Sequence, residues 1–288
     1  MGKWWPLFLS LLGVAQVGHA QQQPAQDQAA LAKDCSNKVY QDSLVARYLD
    51  RGAHRVSYLS PQWAQYCDSL IAACPTIAYA YQQKAMPLIK CGDYAKAFPL
   101  IDQAVALDVN RWLAYRGFLK CIFTKDYAGA LTDFRRVAQL KPQGREMDHT
   151  YAFFMGLCNL EMGKYKDAEA DFAEDMRLQL GADGRGEIHF NTLLYAGVLA
   201  LKKKQYPQAQ THLERCLKAY SQHPEANYYL ALAYQAQGKP ALARQHLAAS
   251  QRALIGGYRL NEDNIYYANY PGQITEFEVI QAQKKLAD

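Results

Sequence analysis

His212 and Cys216 lie four residues apart, a spacing that places two metal-ligating side chains on one face of a helix. No third or fourth ligand falls near them in the sequence. Cys216 sits at an apolar position of the pattern described below, and His246 recurs at the position of His212. The pair therefore reads as a packed thiol beneath a helix-surface imidazole. Glu169, Asp171, Glu174 and Asp175 crowd a single helical stretch. Two such carboxylates could share acid–base work, but they are expected to form a solvated face. No Gly-rich phosphate loop, paired-His metalloprotease motif or nucleophile elbow occurs. The expectation is a non-enzymatic chain with no catalytic residues, no metal and no cofactor.

The seven cysteines are 35, 67, 74, 91, 121, 158 and 216, an odd number that leaves at least one thiol free. Cys121 and Cys216 fall at buried pattern positions, where Cys acts as a small apolar filler. Cys67 and Cys74 are separated by about 10 Å of helical rise, too far to bond to each other. Either Cys35 pairs with Cys67 or Cys74, or no disulfide forms.

The elements that carry these residues repeat. Gly92-Asp93-Tyr94-Ala95-Lys96-Ala97 returns as Lys125-Asp126-Tyr127-Ala128-Gly129-Ala130 and as Gly163-Lys164-Tyr165-Lys166-Asp167-Ala168. It returns again as Lys204-Gln205-Tyr206-Pro207-Gln208-Ala209 and, weakened, as Gly238-Lys239-Pro240-Ala241-Leu242-Ala243. The anchors at 94, 127, 165, 206 and 240 are spaced by 33, 38, 41 and 34 residues. A period near this length, with small residues at set offsets, predicts stacked helical hairpins.

Around each anchor the chain resembles the tetratricopeptide repeat family, in which a large, a small and an aromatic residue mark the first helix and Ala, Phe and Ala the second. Tyr81, Ala85, Leu88, Tyr94, Ala97, Ile101 and Ala104 match in the first repeat. Gly156, Tyr165, Ala168 and Phe172 match in the third, and Leu193, Gly197, Ala200, Tyr206, Ala209 and Leu213 in the fourth. Phe118 departs where a small residue is usual, Asp175 where Ala is usual and Pro240 where Tyr is usual. The resemblance implies an all-α, right-handed superhelical array of antiparallel helix hairpins, an α-solenoid.

The domain reading follows. Residues 1–20 form a signal peptide, with Lys3, an apolar run and a small-residue cleavage site before Gln21. Residues 21–34 are a flexible leader and 35–77 a degenerate N-terminal hairpin. There Ser36 is expected to cap a helix burying Val39, Leu44 and Leu49, and Ser60-Pro61 to open a second helix. Five repeats span 78–254, and 255–288 form a tyrosine-rich tail (Tyr258, Tyr266, Tyr267, Tyr270) and a capping helix. That helix should start near Gln273 with Ile274, Phe277 and Ile280 inward. The net charge of +5 is small, with acids and bases interleaved, which argues against nucleic acid and anionic membrane. Once the signal is removed, no membrane span is expected.

In arrays of this family the first helix of each hairpin lines an inner groove. The resemblance places Tyr79, Gln82, Met86, Trp112, Tyr115, Leu119, Phe153, Leu157, Leu194 and Tyr228 there as candidate partner-binding residues. Gln82 and Met86 do not match the Lys and Asn of members that clamp a terminal carboxylate. Trp112 and Tyr115, three apart, point to one side and are expected as partner anchors. The function implied is a protein or peptide scaffold, periplasmic or secreted. The alternative is a small-ligand binder stacking aromatics on a glycan or lipid.

Overall fold

The computed structural model describes residues 34–260 and 269–286. The expected signal peptide, the leader but for Asp34, Tyr266 and Tyr267 lie outside the described residues. The chain divides into two compact units, one ending at Ile77 and the other starting at Ala78.

In the first unit, helix α1 (Lys38–Val45) is capped by Asn37, not Ser36: its side chain accepts the N–H groups of Val39 and Tyr40. A π-helical turn, Ala46–Asp50, follows directly. The wider turn brings Leu49 onto the buried face of Leu44, whereas Val39, five residues before Leu44 and so about 140° round the helix, is 78% exposed, against expectation. Helix α2 (Pro61–Ala73) opens at Ser60-Pro61 as the sequence predicts and buries Trp63, Cys67 and Leu70. Of the alternatives for the cysteines, the bond is Cys35–Cys74, with the Cα atoms 5.6 Å apart. It closes a loop spanning a sequence separation of 39, a cross-link typically worth about 2–4 kcal/mol.

The second unit is a succession of antiparallel hairpins: α3 (Ala78–Lys90) with α4 (Tyr94–Leu107), and α5 (Val109–Leu119) with α6 (Tyr127–Leu140). Then come α7 (Tyr151–Glu161) with α8 (Tyr165–Leu180), α9 (Phe190–Lys202) with α10 (Tyr206–Ala219), and α11 (Pro224–Ala236) with α12 (Pro240–Ile255). The repeated phrase builds the same turn each time. Two residues before each second helix the backbone is left-handed: φ is 78° at Gly92, 57° at Lys125, 72° at Gly163, 59° at Lys204 and 70° at Gly238. Glycine takes this conformation without strain, and the two lysines take it at a cost. Asp93 and Asp126 then cap the following helices by accepting the N–H groups of Lys96 and Gly129.

Small residues let the paired helices close. A Cβ on Gly156 would stand 2.7 Å from the Phe172 ring, and one on Gly197 2.6 Å from Leu213. In the second hairpin the same close approach belongs to Gly117, whose added Cβ would meet Phe134 at 3.0 Å. The departure assigned to Phe118 is thus a register shift by one residue. Gly117 lies ten residues before Tyr127, whereas Ala85, Gly156 and Gly197 lie nine before their anchors. A π-helical turn, Lys120–Thr124, absorbs the extra residue.

The joint after α6 is a minimal hairpin, β1 (Arg145–Glu146) with β2 (His149–Thr150), antiparallel with Glu146 opposite His149. Met147 and Asp148 at its tip both have positive φ, 45° and 65°, the pattern of a type I′ turn. The terminal helix α13 (Glu276–Lys285) starts three residues later than expected, because Thr275 and Glu278 form a capping box. This start turns Val279 and Ala282 inward and leaves Phe277 65% exposed. Ile280 also stands outside, and Ile274 is buried ahead of the helix.

Candidate functional site

The first helices α3, α5, α7, α9 and α11 carry the expected groove residues, and most of these are packed shut. Leu119, Phe153, Leu157 and Leu194 belong to the buried core. Trp112 is 5% and Tyr115 8% exposed, so neither is an open anchor. The Trp112 ring stacks on Tyr79 at 6.1 Å between centroids, and the Arg111 guanidinium lies 4.5 Å from its ring centre. Tyr115 stands edge-on to Trp112 at 5.8 Å. Its hydroxyl accepts a hydrogen bond from buried Gln82 Nε2 at 3.3 Å. Tyr79, Met86 and Tyr228 are half-buried, and Tyr228 is edge-on to Tyr229 at 5.2 Å. The register shift accounts for part of this: in the corrected count Trp112 and Tyr115 move off the groove positions.

A different column emerges from the corrected register. Tyr115, Phe154, Tyr195 and Tyr229 each lie two residues before the small residue of their helix, at Gly117, Gly156, Gly197 and Ala231. Against the last of these repeats lies a segment of the chain itself, residues 269–275. The buried Tyr195 hydroxyl donates to the Pro271 carbonyl at 2.7 Å, and the Tyr229 hydroxyl donates to the Gly272 carbonyl at 2.6 Å. Lys125 Nζ, from the turn of the second hairpin, donates to the Asn269 carbonyl. The Ile274 N–H donates to Glu225 Oε1 at 3.4 Å. Burial pushes both tyrosine hydroxyls well above the usual phenol range, which keeps them protonated donors. Burial also lowers the Lys125 ammonium.

The segment has a defined shape. Gln273 N–H bonds the Tyr270 carbonyl at 3.2 Å, closing a turn with Pro271 second and Gly272 third. Gly272 has φ of 68°, as the third position of a type II turn requires. The Tyr270 ring meets His149 edge to face, 6.4 Å between centroids. The array's hydrogen bonds to the turn thus go to main-chain atoms, while the Ile274 side chain joins the hydrophobic core and Tyr270 packs against it. The aromatic column is legible in the sequence as an aromatic two residues before the small residue in four of the five repeats, the first having Gln83 before Ala85. The tail's position over it is not.

The carboxylates of α8 have structural partners. Asp175, where Ala was expected, is buried and satisfied: it accepts from Thr150 Oγ1 at 2.8 Å, Gln179 Nε2 at 2.7 Å and Thr192 Oγ1 at 2.7 Å. Asp171 accepts from Asn159, while Glu174 pairs with Arg177 at the surface. The carboxylates of α8 are therefore split between core and solvent rather than forming one solvated face. Cys216 is buried, and His212 is half-buried on the same helix.

No family model matches the sequence, and no curated protein matches it significantly. Solved structures do match the fold. A tetratricopeptide repeat protein from Parabacteroides merdae aligns at TM-score 0.58 and 13% identity, over 86% of this chain and 92% of its own. The chain has the tetratricopeptide-repeat fold. PilW, described as a type IV pilus biogenesis factor, aligns at TM-score 0.59 and 14% identity, over 75% of this chain and 94% of its own. The pilF protein of Pseudomonas aeruginosa aligns at TM-score 0.57 and 18% identity, over 75% and 92%. In this tetratricopeptide array no described helix is long and apolar enough to cross a membrane.

Proposed function

We propose that this tetratricopeptide array is a non-enzymatic scaffold, exported to the cell envelope, that holds a protein or peptide segment on the face of its first helices. The observation that carries the reading is the set of main-chain contacts from Lys125, Tyr195, Glu225 and Tyr229 to one short segment. Side chains from three hairpins converge on peptide carbonyls and one peptide N–H, which is the chemistry of chain recognition. Export rests on the pattern of residues 1–20. The small-ligand alternative stacks Trp112, Tyr115, Phe153 and Tyr228 on a glycan or lipid. The first three rings are buried against other rings and Tyr228 is half-buried edge-on to Tyr229, which favours the protein-binding reading.

Crosslinking in the native compartment followed by purification of the full chain tests this. The expected result is a discrete protein adduct on a chain that begins at Gln21. Retention of a glycan or lipid with no protein adduct would overturn the scaffold, and a mature pool starting at Met1 would overturn export.

A further inference from the structure

We propose that residues 269–275 are a resident, displaceable ligand: the face between Lys125 and Tyr229 recognises a peptide bearing a Pro-Gly turn, and the tail holds that face closed until such a peptide replaces it. This rests on the scaffold reading above and adds the chemistry of the partner and its control.

Three features carry it. First, the hydrogen bonds described from the array to the segment reach the carbonyls of Asn269, Pro271 and Gly272 and the N–H of Ile274. Any chain that folds the same turn offers the same atoms. Second, the contacts select the turn. A Cβ added at Gly272 would stand 2.8 Å from the Tyr229 hydroxyl, and φ there is 68°. A side chain is thus excluded both by space and by backbone conformation. Third, the face does not tolerate vacancy. Tyr195 is buried with the tail in place, so departure of the tail uncovers apolar ring surface to water and exchanges the Pro271 carbonyl for water at its hydroxyl. The face favours exchange of one turn for another over standing empty. The tail also has its own anchor, since α13 is independently capped and packs on α12 through Val279 and Ala282.

The probe is a fluorescent heptapeptide with the sequence of residues 269–275, titrated against two full-length chains. One is unaltered. The other carries Gly272→Val and Ile274→Asp, which disrupt the resident turn and leave the receiving side chains untouched. We expect hydrogen exchange at residues 269–275 to rise in the variant, helicity to be retained, and the peptide to bind at least tenfold tighter than to the unaltered chain. Adding Tyr195→Phe and Tyr229→Phe should abolish that gain. Equal binding by both chains overturns the proposal. So does unchanged exchange in the tail, or loss of helicity in the variant, which would make the segment part of the core. If peptide affinity does not rise but the unaltered chain still crosslinks to a protein, this inference fails and the scaffold reading stands. If the peptide binds the variant while no protein is captured in the native compartment, the face is as described and the scaffold reading falls.

Discussion

A single carboxylate shows how this chain departs from its repeat pattern without losing stability. Asp175 stands on α8 where a small residue is usual, and three donors from β2, α8 and α9 saturate it. Asp175→Ala would leave Thr150 and Thr192 hydroxyls buried without their acceptor. We expect a loss of about 1–3 kcal/mol in chemical denaturation. A change below about 0.5 kcal/mol would show that water replaces the carboxylate. Trp112 teaches the opposite lesson. Its size and spacing suggest a binding anchor, but the structure buries it with its ring stacked on Tyr79 and in contact with the Arg111 guanidinium. Trp112→Ala should therefore lower stability by about 3–5 kcal/mol, as for a buried large-to-small change. Retention of the parental melting temperature would return it to the surface.

At the scale of the element, the recurrent phrase made the hairpins legible, because its chemistry acts locally. A left-handed turn residue, a cap and a small residue each leave a mark at a set offset. Lys204 tests this. It occupies the turn position held by glycine in three other hairpins, at φ of 59°. Lys204→Gly should stabilise the array by about 0.5–1 kcal/mol, the relief of left-handed strain less the added freedom of the unfolded chain. A lower melting temperature for this variant would contradict the assignment. What the sequence left hidden was non-local. One inserted residue moved the second hairpin's register from Phe118 to Gly117, and a π-helical turn carries it without any marker in the pattern. The site was hidden for the same reason. Tyr195 and Pro271 are 76 residues apart in sequence, and nothing in their local context announces their contact.

Across the whole array, buried imidazoles set the response to acid. His149 packs on Phe153 with 4.0 Å between ring centres, and His189 stands 4.7 Å from it. Burial first, then the neighbouring His189 and Arg145, push His149 from the usual 6.5 down to about 3. His189, His212 and His246 are also lowered, in each case chiefly by burial. Below pH 6.5 the unfolded chain binds protons that these folded sites refuse. Their contribution is thus fully present above that pH and is lost progressively as the pH falls toward the folded values. For His149 alone the loss is on the order of 3 kcal/mol by pH 4. Glu146, Glu161 and Asp171 oppose it, since burial raises them and the folded state then takes up their protons first. We expect the melting temperature to fall steadily between pH 6.5 and 4, and His149→Gln to flatten that slope. A flat profile for the unaltered chain, or the same slope in the variant, would sink the argument. Because a solenoid is held by neighbour-to-neighbour contacts, acid should open it first where His149 of β2 meets His189 at the start of α9. Hydrogen exchange at pH 5 should accordingly lose protection in α7 and α9 before α3 and α4.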